Sequence, residues 1–151
     1  MSIIEDVELL RRIPMFAKVE PAKLKLLAFT SQRVTFESGQ ELFHQGDAAD
    51  AAYIIVDGLA DVIIDTPAGP LTVAQLGKND LTGEIGIICE VPRTATVKAA
   101  SRVTTLKIAR DLFFRMLTDF PVMALEVMRD LGHKLEAANA KLRDAQAHTG
   151  N

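Results

Sequence analysis

Residues 83–97 read GEIGIICEVPRTATV. Two glycines flank a glutamate, and nine positions after Glu84 a single arginine stands between Pro92 and Thr94. A helix opening at Glu84 would offer unpaired N–H groups and the positive end of its dipole, which together favour an anion. Gly83 suits a close backbone approach into that turn. Gly86, lacking a Cβ, lets an anion rest against its amide. Arg93 brings a planar fork of donors that grips a phosphate with a selectivity lysine lacks, and Thr94 adds a hydroxyl beside it. Glu84 is an acceptor for a sugar hydroxyl. The stretch therefore points to a phosphate carried on a sugar. Each signal alone is bland, since glutamates open helices everywhere and single arginines mostly lie at surfaces. The spaced set is the informative unit. The side chains of Ile85, Ile87 and Ile88 read as core.

Outward from this stretch, residues 33–108 change period and punctuation. Short β-type runs (VTF, ELF, AYIIV, DVII, LTVAQL, ATVKAA and VTTLKI) are separated by turn signals at Ser38-Gly39, Gly46-Asp47, Asp57-Gly58, Pro67 to Pro70 and Gly77 to Asp80. Asp57-Gly58, between AYIIV and LADVII, predicts a β-hairpin. Many short strands with frequent glycine turns predict a sandwich, jelly roll or barrel. Residues 1–32 read as helical: Ile4, Val7 and Leu10 share a face before Pro14, and Pro21 takes the first position of a second helix. Residues 109–147 are helical again. RDLFFRMLTDF is a short helix stopped by Pro121, and a long helix then runs to about Ala147. Along it Ala124, Met128, Leu131, Leu135, Ala138, Leu142 and Ala145 alternate spacings of four and three, a heptad seam that packs one helix on another. Gly132 interrupts it at a cost of about 1 kcal/mol relative to alanine. The tail AHTGN reads as frayed, and no internal repeat is present. The expectation is one domain over residues 1–151.

A chain of 151 residues supports one domain with a real core, and 48% hydrophobic with 25% charged residues excludes disorder. The net charge is −3, from 17 basic and 20 acidic side chains, with no basic block. That balance argues against nucleic-acid and membrane partners. A single cysteine cannot form an internal disulfide, which points to a reducing compartment; the apolar surroundings of Cys89 predict an inert, half-buried thiol. MSIIEDVELLRR has acids where a secretory signal needs bases, and no apolar run reaches membrane length. A cytoplasmic location is expected. His44, His133 and His148 are scattered, with His44 solvated beside a turn and His133 exposed, so no metal site is expected. No nucleophile–base pair with a supporting third group is found. No catalytic residue, enzyme activity or cofactor is expected.

Residues 83–97 resemble the phosphate-binding cassette of cyclic-nucleotide-binding domains, the family of the bacterial catabolite activator protein and the regulatory subunits of cAMP-dependent protein kinase. The resemblance covers nearly the whole chain. LLRRIPMF looks like the family's helical lead-in, and ESGQELFHQGDAADAAYIIVDGLADV carries its spaced glycines, Gly39, Gly46 and Gly58. The implied fold is mainly β with flanking α: an antiparallel β jelly roll with N-terminal helices and two C-terminal helices, the last one long.

The resemblance also implies a site. Glu84 would bind the ribose 2′-hydroxyl and the Gly86 amide the cyclic phosphate. Arg93 would hold the exocyclic oxygens beside Thr94 and the Ala95 amide, with Gly83 and Ile85 completing the turn. Val62 and Val73 would line the base pocket, with Val97 a further candidate. Lys134, Leu135, Ala138 and Asn139 of the long helix would cap the base, Asn139 at its edge. Thr82 stands where the family usually has an aromatic residue, Asn79 where it usually has glycine, and no aromatic follows Phe120. The implied ligand is cAMP, with cGMP open because Thr94 could contact a guanine amino group. The implied role is a regulatory module that signals through its last helix to an effector protein or a homodimer mate. A ligand-independent interaction domain is the alternative. The chain would be either a stand-alone regulator or an excised module.

Overall fold

Two four-stranded antiparallel sheets face one another, and helices cover the outer side of one of them. The computed structural model describes residues 3–149, with side chains described for residues 6–145. The chain opens with α1 (Ile3–Arg11), a 3-10 turn at Pro14–Phe16 and α2 (Pro21–Thr30). There follow β1 (Gln32–Phe36), β2 (Glu41–Phe43), β3 (Ala51–Asp57), β4 (Ala60–Thr66), β5 (Gly69–Leu76) and β6 (Leu81–Thr82). Next come α3 (Glu84–Ile88), β7 (Thr96–Ala99), β8 (Val103–Ala109), α4 (Arg110–Asp119) and α5 (Pro121–Thr149). One sheet has the order β1-β8-β3-β6 and the other β2-β7-β4-β5. This is the antiparallel jelly roll with flanking helices that the sequence led us to expect.

The strand β3 explains how the layers hold together. Six successive residues, Ala51 to Val56, are buried. Successive side chains of a strand point to opposite faces. Ala51, Tyr53 and Ile55 join the core between the sheets, with Leu42, Val97 and Val103. Ala52, Ile54 and Val56 join the core beneath the helices, with Leu10, Phe16, Leu24, Phe113, Met123 and Val127. A strand covered on both faces has to read as a continuous apolar run, as AYIIV does.

Three expectations are corrected. Asp57-Gly58 is not a hairpin: β3 and β4 belong to different sheets, and the turn carries the chain from one to the other. Gly58 has φ +94° and lies so close to the chain that an added Cβ would come within 2.2 Å of the Arg102 carbonyl oxygen. The hairpin in this region is β4–β5, closing at Thr66 and Gly69. The two-residue strand β6, too short to show a period, pairs with β3 at Tyr53 and Ile54. Cys89 is exposed rather than half-buried, because it follows the last turn of α3 on the outer surface. Ile85 is 36% exposed, while Ile87 is fully buried, since five residues of helix cannot turn three isoleucines to one core.

The long helix begins at Pro121 as expected and extends to Thr149. Its core contacts are Met123 and Val127, with Leu131 packed against them. Within the heptad seam Leu131 packs on this core, whereas Met128 and Leu135 are 62% and 63% exposed. The side chains of Ile4 and His148 and the last residues of the AHTGN tail lie outside what is described. Among the described residues no helix is long and apolar enough to cross a membrane.

Candidate functional site

The cassette is built where β6 runs into α3 and returns through Arg93 to β7. Gly83 caps α3 in the left-handed region, φ +87°. Arg93 comes back across it, and Glu84 and Arg93 are buried, 1% and 3% exposed. The Nη1 of Arg93 donates to the Gly83 carbonyl at 2.9 Å, and its Nη2 donates to the Ala51 carbonyl at 2.7 Å. The same Nη2 lies 3.3 Å from Asp50 Oδ1, and the guanidinium sits 4.1 Å above the centre of the Phe43 ring. The Arg93 Nε has no partner. Burial pushes the guanidinium pKa down, and Asp50 opposes the shift.

Gly86 answers a packing demand. An added Cβ would lie 2.6 Å from the Ala49 Cβ and 3.0 Å from the Val91 carbonyl oxygen. The glycine is needed by α3 and its neighbours whether or not an anion rests on its amide.

Glu84 is not left alone in the interior. The Lys134 Nζ, reaching from α5, lies 2.5 Å from Glu84 Oε1, donates to the Leu81 carbonyl at 2.8 Å and pairs with Asp130 Oδ2 at 3.0 Å. Burial raises the Glu84 carboxyl above the ordinary glutamate range, against the pull of Lys134. Burial lowers the Lys134 ammonium, but Glu84 and Asp130 outweigh it and leave the net shift upward.

Between the cassette, the second sheet and α5 lies a cavity of about 720 Å³. One end is polar, with Gly83, Glu84, Gly86, Arg93, Thr94 and Ala95. The other is apolar, with Val62, Ile64, Leu71, Val73, Ala138 and Leu142. Of the residues expected from the sequence, Ile85, Val97 and Lys134 also line it. Leu135 and Asn139 do not. A helix advances about 100° per residue, so with Lys134 and Ala138 turned to the cavity these two face away, and both are exposed. The sequence reading missed Phe43, Ala137, Lys141 and Ala145 as lining residues. The spacing of seven from Lys134 to Lys141 and from Ala138 to Ala145 was the available signal. Lys141 donates to the Val73 carbonyl of the edge strand β5. Beyond Leu131 no described side chain of α5 is buried, and Lys134 and Lys141 fasten this half of the helix to the barrel.

His44 is not merely solvated: its Nδ1 lies 3.1 Å from Glu41 Oε2, and that hydrogen bond raises its pKa. Among the described residues no three His, Cys, Asp or Glu side chains cluster to hold a metal ion.

Residues 33–120 match the cyclic nucleotide-binding domain family. The chain belongs to that family. This cyclic nucleotide-binding domain is 30% identical over 138 residues to the CRP-like cAMP-activated global transcriptional regulator of Mycobacterium tuberculosis, covering 91% of this chain and 62% of that protein. It is 30% identical over 126 residues to an uncharacterized NTE family protein of the same organism, covering 83% of this chain and 21% of that protein. Its fold superposes on the crystal structure of Thermus thermophilus catabolite activator protein with a TM-score of 0.77 at 25% identity, over 88% of this chain and 63% of that one. The domain thus spans less than two thirds of the length of each of these relatives.

Proposed function

We propose that this domain is a sensor that binds a cyclic nucleotide, cAMP before cGMP, and passes the event through α5 to an effector protein or a second copy of itself. The observation that carries the reading is the Arg93 Nε–H, buried and unpaired on a guanidinium that lines the cavity. A buried donor without a partner is rare and calls for an explanation. A phosphate oxygen arriving from the cavity supplies that partner, with Thr94 and the Ala95 amide beside it. Glu84 then receives the ribose, and Val62, Val73 and Ala138 form apolar walls for the base. The cavity volume falls in the usual range for small-molecule sites. The name of the mycobacterial relative supports cAMP as first ligand, while Thr94 keeps cGMP in view. The domain reads its ligand without transforming it, and we place it in the cytoplasm.

Transmission follows from the distal half of α5, which stands over the cavity on two lysine contacts. A ligand entering beneath it changes those contacts and moves the helix. Calorimetric titration of the purified chain with cAMP and cGMP tests the proposal. Saturable binding, tighter for cAMP, is expected. No heat and no shift in melting temperature with either nucleotide at millimolar concentration would overturn it. That result would favour the second reading, a ligand-independent interaction domain. The pairing of Glu84 and of both Arg93 Nη atoms inside the protein is the observation on its side.

A further inference from the structure

We infer that Lys134 competes with the sugar hydroxyl for Glu84, and so sets how far the site distinguishes ribose from deoxyribose. The inference rests on the cyclic-nucleotide reading above and adds to it a residue from outside the cassette.

The Glu84 side chain is 1% exposed and lines the cavity, so an incoming hydroxyl meets it there. At Oε1 that approach is already taken. Lys134 lies 2.5 Å from Oε1, and its ammonium is held in place by the Leu81 carbonyl and by Asp130. An ammonium has three donors and no acceptor, and three oxygens surround this one. A bond from a hydroxyl to the same carboxylate oxygen is charge-assisted as the Lys134–Glu84 bond is, so the two donors compete on comparable terms.

That near balance has two consequences. A ribose 2′-hydroxyl that takes over Oε1 exchanges one hydrogen bond for another, and the gain from the new contact is offset by loss of the old. A 2′-deoxy nucleotide asks nothing of Glu84 and leaves Lys134 where it is. The wild-type site therefore discriminates weakly between the two sugars, although a buried carboxylate stands ready to do so. Lys134 can leave because its side chain is 33% exposed, and Asp130, one helical turn back on α5, remains a partner for the released ammonium. Its departure removes one of the two lysine contacts that fasten the distal half of α5. A ribose nucleotide loosens that half, and a deoxyribose nucleotide does not.

The experiment uses the full chain carrying Lys134→Met, Lys134→Gln or Lys134→Arg, titrated calorimetrically with cAMP and with 2′-deoxy-cAMP. In wild type and Lys134→Arg the two ligands are expected to bind within about threefold of one another, as replacing one hydrogen bond by another implies. Titrated at alkaline pH, where the unpaired Glu84 stays ionised, Lys134→Met should bind cAMP about tenfold more tightly, the scale of one hydrogen bond to a charged group, with 2′-deoxy-cAMP unchanged. Lys134→Gln, which retains a neutral donor and protects against misfolding around an unpaired Glu84, should fall between. A second readout is amide exchange in residues 128–145 of wild type, which should speed up with cAMP and stay level with 2′-deoxy-cAMP. A fall in cAMP affinity in Lys134→Met and Lys134→Gln, or an equal change for both ligands, overturns the inference and makes Lys134 a support for Glu84 or a packing residue. Saturable wild-type binding with an unmoved sugar ratio overturns this inference alone. No binding of either nucleotide to wild type or any variant overturns the sensor reading with it.

Discussion

The Nη1 of Arg93 donates to the carbonyl oxygen of Gly83 at 2.9 Å, so the arginine that closes the cassette is anchored on the glycine that opens it. The geometry leaves no room for a side chain at Gly83. An added Cβ would stand 2.7 Å from Arg93 Nη1 and 3.1 Å from the Ala51 carbonyl oxygen, on a residue with φ +87°. Gly83→Ala is expected to destabilise the domain by about 1–3 kcal/mol through left-handed strain. It should also weaken nucleotide binding by displacing the guanidinium. Urea denaturation and calorimetry on the same variant check both halves. A variant with native stability and affinity would show that the turn can reorganise freely.

Arg93→Ala removes the proposed phosphate ligand. The expected loss of nucleotide affinity is roughly 2–5 kcal/mol, the range for truncating one partner of a buried charge pair. Arg93→Lys should recover little of it, because a point charge cannot serve the Gly83 and Ala51 carbonyls and a phosphate together. Titration at fixed ionic strength measures the loss, and unchanged affinity in Arg93→Ala would remove this residue from the site.

Gly58 and Gly39 separate crowding from backbone strain. Both have positive φ, +94° and +92°, but only Gly58 is crowded: its added Cβ meets backbone at 2.2 Å, whereas nothing lies within 4 Å at Gly39. Gly39→Ala should cost about 1–2 kcal/mol, the left-handed penalty alone. Gly58→Ala should cost more, because a carbonyl cannot step aside as a flexible side chain can. Equal midpoints in chemical denaturation would contradict the crowding at the sheet-to-sheet turn.

His44 supplies a pH test. Its folded-state pKa is raised above 6.5, first through the hydrogen bond with Glu41. The folded state therefore holds this proton more tightly than the unfolded chain does. The stabilisation is fully present below pH 6.5 and is lost as pH rises through the higher folded value. NMR titration of the His44 ring should give a midpoint above 6.5, and Glu41→Gln should lower it. An unchanged midpoint in that variant would assign the shift to some other group.

The exposed positions of the heptad seam bear on assembly. Met128, Leu135 and Leu142, spaced by seven along α5, are 62%, 63% and 64% exposed, and Leu142 also borders the cavity with Ala138 and Ala145. If the exposed positions pair with a second copy, light scattering should give twice the 16.5 kDa chain mass, and Leu135→Lys should halve it. A monomeric wild type, with and without nucleotide, would leave α5 folded on its own barrel.

Much of the fold was legible because it is written in short-range patterns. Pro14, Pro21 and Pro121 mark helix boundaries since a fixed φ and a missing N–H act on the residues beside them. The strand runs declare themselves by β-branched residues between turn signals. Asn79 adopts the left-handed geometry, φ +76°, where the family usually has glycine, as its short polar side chain permits. The cassette was legible for the same reason: Gly83, Glu84, Gly86 and Arg93 lie within eleven residues of chain.

What the sequence by itself determined, then, is the kind and order of most elements and which residues the cassette gathers. The tertiary structure decided which elements meet. Asp57-Gly58 forms a tight turn, but burial on both faces places β3 between β8 and β6 rather than beside β4. Arg93 finds the Ala51 carbonyl 42 residues away, and Glu84 finds Lys134 at a distance of 50. The seam of α5 has a clear period, yet its phase toward the barrel is set by Met123 and Val127 filling the core, which turns Lys134 inward and Leu135 out. Local sterics and hydrogen bonding act over a few residues and leave a mark in the sequence. Contacts between distant segments depend on how whole surfaces pack, and no short stretch of chain records that.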